Sequence, residues 1–463
     1  MTNLFFAKVA AGATLVLSLC VVAPALSLAD VTTIRDTVST TLSFNPNIKA
    51  FQEYRQAAQD DLKRARSGWF PRIDARAGYG LEQWSDSTTR SRNKNTYTQR
   101  RRTYYDRSEA SLTLSQTIWD GLATWHRYSQ GEYRADSAES RLYDNAEGLG
   151  LDAILAHIEI YRQRRIVSLA ELNVQNHRAI LNSQTERHRS GASTMADVSQ
   201  TQTRLARSEA SLAESRAALE VAIANYKRLT GQVPGQIEVP ADPMDAYPSL
   251  EAALAQSQVN NLKVKALRSD VLASDAQTGI DFAAFHPQVY LELGPSYSYR
   301  SGSSTTDQGG MLFMLRASWN LFNGGYDWYN VKADKARARQ AKQELTAQLD
   351  MLAEETESTW TQLIASQETS KFYANSVQYA TKTRDMYLEQ FNVGQRSLLD
   401  VLDAENELFS SSIQLVTAQQ NIIATKYRLL ALGGGLLASL GLERTALAID
   451  THANTPVSMP SAE

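Results

Sequence analysis

The sequence holds a single cysteine, Cys20, and it lies in an apolar stretch at the N-terminus. That stretch reads as an export signal, so the mature chain is expected to carry no disulfide, no thiolate nucleophile and no zinc–thiolate site. Histidine is scarce as well. The residues at 126, 157, 177, 188, 286 and 452 form no i, i+4 pair and no cluster with metal-ligand spacing. There is no glycine-rich phosphate loop and no Gly-x-Ser-x-Gly elbow, and the carboxylates are scattered as on any solvated helix face. The expectation is a chain that is not an enzyme and needs no metal or cofactor. Neither sign of charge dominates: 47 Lys and Arg face 50 Asp and Glu, a formal net charge of −3. This balance argues against a nucleic-acid partner. Beyond the N-terminus no long apolar run exists, which excludes a helical multi-span membrane protein.

The N-terminal stretch has a positive flank at Lys8, an apolar or small run from Val9 to Ala25, and small residues at Ser27 and Ala29. Cleavage after Ala29 gives a signal peptide over 1–29 and a mature chain from Asp30. A retained anchor is the alternative. Cys20 as a lipidation site is a further one, disfavoured by the bulky Leu19 before it.

The chain repeats itself. At an offset of 203 residues Gly191 falls on Gly394, Asp197-Val198 on Asp400-Val401, and Gly231 on Gly434. Further upstream the offset is 216, with Ile48-Lys49-Ala50 on Val264-Lys265-Ala266 and Pro71 on Pro287. One 13-residue insertion between Pro71 and Asp120 reconciles the two. We therefore divide the mature chain into a first repeat over 30–231, a linker over 232–248 that holds four prolines, a second repeat over 249–440 and a tail over 441–463. Each repeat is expected to run helix (Val31 to Ser67; Ser249 to Asp281), two alternating segments around a polar loop, a very long helix, a glycine turn and a returning helix.

The alternating segments have the period of strands. Ile73, Ala75, Ala77, Tyr79 and Leu81 share one face, as do Ala110, Leu112, Leu114 and Ile118. The second repeat offers Val289, Leu291, Leu293 and Tyr297, then Phe313, Leu315, Ala317 and Trp319. Such alternation suits a membrane barrel strand, and a small soluble sheet alternates the same way. Four strands cannot close a barrel, and an open edge is untenable in lipid, so membrane strands here require several chains to pool them. The stretches from Gly121 to Gly191 and from Gly324 to Gly394 contain no proline and suit helices of roughly 100 Å. The returning helices carry heptads, Val198, Leu205, Leu212, Leu219, Tyr226 and Val401, Leu408, Leu415, Ile422, Leu429. Small residues follow three positions on, which is the pattern of packing against neighbouring helices.

The run from Phe391 to Ala404, Phe-Asn-Val-Gly-Gln-Arg-Ser-Leu-Leu-Asp-Val-Leu-Asp-Ala, closely resembles the periplasmic turn of the TolC family. Asn45-Pro46, Gly68-Trp69-Phe70-Pro71 and Leu321-Phe322-Asn323-Gly324-Gly325 resemble it too, and the likeness spans about 33–440. The resemblance implies an α+β membrane protein. In it, a homotrimer builds one 12-stranded β-barrel, four strands per chain, continuous with a long periplasmic α-helical coiled-coil tunnel. It implies an outer-membrane exit duct whose partners are a periplasmic adaptor and an inner-membrane transporter, an ABC type being favoured. The turn looks most like members serving type I secretion of proteins such as adhesins or toxins. Drug efflux is the close alternative, and a periplasmic coiled-coil adaptor or tether is the alternative of another class.

By the same resemblance Arg396, Asp400, Asp403 and Phe391 form a periplasmic constriction. Asp197 is its first-repeat counterpart, and Gly191 and Gly394 are the hairpin turns. Asp400 and Asp403 lie near one face at a helix start, where capping is their alternative role. Arg396 is positioned to tie its hairpin to a neighbour, and the first turn has no arginine, so the latch is expected to be asymmetric. The loops Gln83 to Arg107 and Arg300 to Gly310 are expected outside the cell. The first carries Arg90, Arg92, Lys94, Arg100, Arg101, Arg102 and Arg107, a charge suited to anionic outer-membrane lipid.

Overall fold

The computed structural model describes residues 31–84, 103–243, 247–301 and 306–442. The signal segment, most of the expected tail and the centres of both expected loops lie outside the described residues. Helices α1 (Ile34–Phe44) and α2 (Pro46–Arg66) lead through a 3-10 turn into strand β1 (Arg72–Trp84). Strand β2 (Thr103–Trp119) returns and runs into α3 (Ala123–Arg189), along which α4 (Met195–Thr230) folds back. The same order follows in α5 (Leu250–Asn260), α6 (Leu262–Phe282), a second 3-10 turn, β3 (Gln288–Ser301), β4 (Thr306–Ser318), α7 (Tyr326–Asn392) and α8 (Leu398–Leu432). A short α9 (Leu436–Ser439) closes the described chain.

Two expectations need correction. Each leading helix, expected unbroken, is two helices. Pro46 has no N–H and forces the residue before it out of the helical region. Asn45 is accordingly extended, and its side chain accepts from the Asn47 amide at 3.0 Å. Asn261 makes the matching break, 216 residues later, by accepting from the Val264 amide at 3.1 Å. The strands are also longer than expected and run into both expected loops, whose remaining residues, 85–102 and 302–305, lie outside the described residues. Arg107 and Arg300 thereby leave the loops. Both pair with Glu82 on the sheet, each at 2.9 Å.

The four strands pair antiparallel in the order β1-β2-β3-β4. The register sets Ile73 beside Leu114, Leu114 beside Leu293, and Leu293 beside Phe313, so the expected apolar rows share one face. A soluble sheet would cover such a face. Here Ile73, Tyr79, Leu81, Met311, Phe313 and Leu315 are 63–80% exposed. The opposite face holds the ion pairs Arg72–Asp74, Arg107–Glu82 and Arg316–Glu292. Among the described residues, β1 and β4 each keep one edge unpaired.

The helices inherit the order of the strands they join, packing α2–α3–α6–α7. Lower down, α4 packs on α3, and α8 packs on both α3 and α7. Within the chain the returning helices bury their small residues along the seam. Thr201, Ser208, Ala222, Ala404, Ser411, Ala418 and Thr425 are buried, as are Val198, Tyr226, Val401 and Leu429 near the ends of the two rows, whereas Leu205, Leu212, Leu408 and Leu415 between them are only partly covered. Small side chains let two backbones approach, and the larger ones flank that contact. No helix among the described residues is long and apolar enough to cross a membrane.

The main core sits midway along α3, where Val38 and Leu42 of α1 meet Ile154 and Ile160, Leu229 of α4, and Leu436 and Leu437 of α9. His157 is fully buried within it. Its Nδ1 lies 2.9 Å from the Thr37 hydroxyl, and its Nε2 lies 3.4 Å from the Glu238 carbonyl. Burial, and secondarily the nearby Arg164, push the imidazole down to about 4, against the opposing effect of the Glu238 carbonyl. The unfolded chain takes up this proton near the ordinary histidine value, which the folded chain resists. The contribution of His157 is therefore complete above about 6.5 and is lost as pH falls toward about 4. The shift is worth roughly 3 kcal/mol. Thermal unfolding in detergent should show a midpoint that declines over this window, with a shallower decline in His157→Asn; equal slopes in the two proteins would remove His157 as the cause.

Candidate functional site: the hairpin tips and the base of the sheet

The α3–α4 and α7–α8 hairpins end side by side. Gly191 and Gly394 turn them with φ of +78° and +80°. The Ala192 amide donates to the Arg187 carbonyl at 2.7 Å and the Gln395 amide to the Gln390 carbonyl at 2.9 Å, which ties off each helix end. A methyl group at either glycine would meet open space, so the left-handed backbone alone selects glycine there.

The expected constriction residues do not form one cluster in the single chain. Asp197 closes a capping box: its carboxylate accepts from the Thr194 amide at 3.0 Å and the Thr194 hydroxyl at 2.8 Å. Those two bonds hold its carboxyl below the usual range. Asp400 occupies the third position of α8, where its amide donates to the Ser397 hydroxyl at 3.3 Å. Its carboxylate lies 3.6 Å from Arg396 of the same turn. Arg396 also stacks over Tyr387, 3.9 Å from the ring centroid, so in this chain it serves its own hairpin. Asp403 reaches the first hairpin instead, pairing with Arg204 of α4 at 2.8 Å.

In the single chain Phe391 is buried with Ile180, Leu398, Val401 and Leu402. The Arg187 guanidinium covers its ring at 4.4 Å and donates to the carbonyls of Phe391 and Asn392, each at 3.3 Å. The first turn itself holds no arginine, but Arg187 and Arg204 in the helices beside it cross between the tips, and both belong to the first hairpin. Above them Glu405, nearly buried, accepts from Arg384 at 2.9 Å and from Asn176 at 3.2 Å. The sequence reading missed these contacts because all but one of the partners lie about 200 positions apart and no local spacing announces them.

A second feature escaped it, though a signal was present. Of seven tryptophans, five (69, 119, 125, 319 and 328) gather where strands pass into helices. With Phe70 and Phe322 they form an exposed aromatic rim, 42–83% exposed, as at a membrane interface.

Arg187 makes more buried contacts than Arg204, whose partner Asp403 is largely solvated. An exposed pair is worth under about 1 kcal/mol, and a partly desolvated cation–π contact with two carbonyl bonds about 1–2 kcal/mol. Hydrogen exchange at the start of α8 should therefore quicken several-fold in Arg187→Ala and only slightly in Arg204→Ala; the reverse order would contradict this ranking.

A family model described as outer membrane efflux protein matches residues 37–232 and 253–435. The chain is 25% identical over 353 residues to the outer membrane efflux protein BepC of Brucella suis, covering 73% of this chain and 75% of that one. It is 24% identical to the proteases secretion protein PrtF of Dickeya chrysanthemi, covering 81% and 80%. Its fold matches the CmeC outer membrane channel of Campylobacter jejuni with a TM-score of 0.77 at 14% identity, over 90% of each chain. The rim, the sheet and the long hairpins thus belong to a channel of the outer membrane whose helices reach into the periplasm, and the chain is a member of the outer membrane efflux protein family, that of the TolC-type channels.

Proposed function

We propose that this protein is the exit duct of a tripartite export machine, working as a homotrimer with a periplasmic adaptor and an inner-membrane transporter. The observation that carries this reading is the pair of open sheet edges beside an exposed apolar face. Lipid offers no hydrogen bonds, so β1 and β4 need partners, and other copies of the same chain supply them. Three sheets of four strands then close one barrel. The helical layer supports the same closure, because its open members, α2 and α7, are the ones joined to β1 and β4. The two halves, with the same order of elements, are on this reading a duplicated unit. The loops lie outside the cell, and the energy comes from the transporter.

The substrate is proposed to be a protein, by type I secretion through an ABC transporter. The turn from Arg396 to Asp403 supports this, as does the likeness to a chain named for protease secretion. Efflux of small molecules is the second reading, favoured by the likeness to BepC. Identification of the transporter that co-purifies from cells separates the two.

In mild detergent the purified protein should have three times the chain mass; a monodisperse, folded monomer would rule out the shared barrel. A threefold axis would also gather three copies each of Asp400 and Asp403 into a ring that binds multivalent cations. In planar bilayers, block by a trivalent cation added from the periplasmic side should disappear in Asp400→Ala with Asp403→Ala. Persisting block would leave helix capping and the Arg204 contact as the work of these residues.

A further inference from the structure

Asp281, near the end of α6, and Asp334, in the third turn of α7, meet across the seam just beneath β3 and β4. Asp334 is 2% exposed, and Arg337 of the next turn binds its Oδ1. Its Oδ2 is buried with no protein N–H or hydroxyl donor. Asp281 receives the Asn330 amide at 2.6 Å and, more weakly, the Gln277 amide at 3.4 Å. Gln277 is itself held by Gln130 of α3 at 2.8 Å. The two carboxyls are near enough for each to act on the other's charge state. Ionised carboxylates only accept, so a hydrogen bond between the two requires that the pair keep one proton.

The first half of the chain makes the contrast. In the register that aligns the halves, Asp281 falls on Ala65, 216 residues earlier, and Asp334 on Gly131, 203 residues earlier. There α2 and α3 close directly: a methyl group on Gly131 would lie 3.5 Å from the Ala65 methyl. One half thus seals this crossing with the smallest apolar side chains, and the other places two acids in it.

We propose that Asp281 and Asp334 are a one-proton latch between α6 and α7, closed while the pair holds its proton and loosened when the proton is lost to the periplasm. Burial first, then the neighbouring Asp334, push the Asp281 carboxyl up to about 6, while Asp281 in turn holds Asp334 below the usual range. An acid raised on folding stabilises the folded seam at low pH, and that contribution is lost as pH rises through about 6. The surrounding charges do not replace the proton. Arg337, largely solvated, offsets one carboxylate only. Lys332 and Lys335 of α7 are exposed. Further along the seam Lys342 is engaged with Asp275 at 3.3 Å, and from α3 the ring of His126 lies against Gly279 rather than the pair.

The test uses the full-length protein in detergent, by hydrogen exchange corrected for intrinsic rates and by infrared spectroscopy. Between pH 5 and pH 7.5, protection of the last turns of α6 and the first turns of α7 should fall roughly tenfold or more. A protonated-carboxyl stretch should vanish over the same interval. In Asp281→Asn, whose amide donates to Asp334 at every pH, protection should no longer depend on pH and the band should be absent; Asp334→Asn should behave likewise. Protection in the wild type that ignores pH, or a band and pH dependence that survive in both variants, would overturn the latch. Protection at pH 7.5 that calcium restores and a chelator removes would overturn it in favour of a bound cation.

Discussion

An amide at the edge of a sheet has to find a partner, and where the sheet's apolar face lies bare no water is at hand to serve. The rest of this structure follows from that constraint. The four strands satisfy one another internally and leave β1 and β4 open. Each strand passes directly into a helix, so the helical layer takes the order of the strands and ends in the open members α2 and α7. The polar face of the same sheet carries its charges as ion pairs, with Glu82 holding both Arg107 and Arg300. A rim of exposed aromatic residues marks the level at which sheet gives way to helix.

Far from the sheet the chain is a thin layer, and stability gathers at a few places where several elements meet. At mid-height α1, α9 and the ends of α4 and α8 cover α3, and this is where His157 is buried. At the tips a smaller cluster around Phe391 and Val401 joins the two hairpins, with Arg187 closing it from the first. Between these places the long helices touch through small residues and solvated ion pairs, such as Arg178–Glu209 and Arg216–Glu171, which contribute little individually. The tips are therefore joined by local contacts more than by an extended core, an arrangement suited to movement relative to the rest.

The two halves share a plan but not its details. Both break their leading helices at an asparagine and both turn their hairpins at a left-handed glycine. At the tips, one capping box is complete through Asp197, while Asp400 is drawn toward Arg396 instead. Beneath the sheet, Gly131 against Ala65 in one half becomes Asp334 against Asp281 in the other. The departure beneath the sheet falls where polar groups enter an otherwise apolar seam, and there a sequence is free to trade close packing for a titratable contact.

Much was legible in the sequence because it rests on local periodicity. Alternation placed the strands and their apolar face, the proline-free stretches and heptads placed the long helices, and glycines placed the turns. These features depend on neighbours within a few residues. The roles of Asp403, Phe391 and Arg187 did not follow, because each is decided by a partner about 200 positions away. The turn motif located the tip correctly, yet only packing decided that Phe391 faces inward and that Asp403 meets Arg204. The break at Asn261 had no proline to announce it, and the paired acids at 281 and 334 look in sequence like two ordinary residues of exposed helix faces. Sequence determines which surface each helix and strand presents; the tertiary structure decides which surface it meets, because burial and charge pairing exist only once distant segments are side by side.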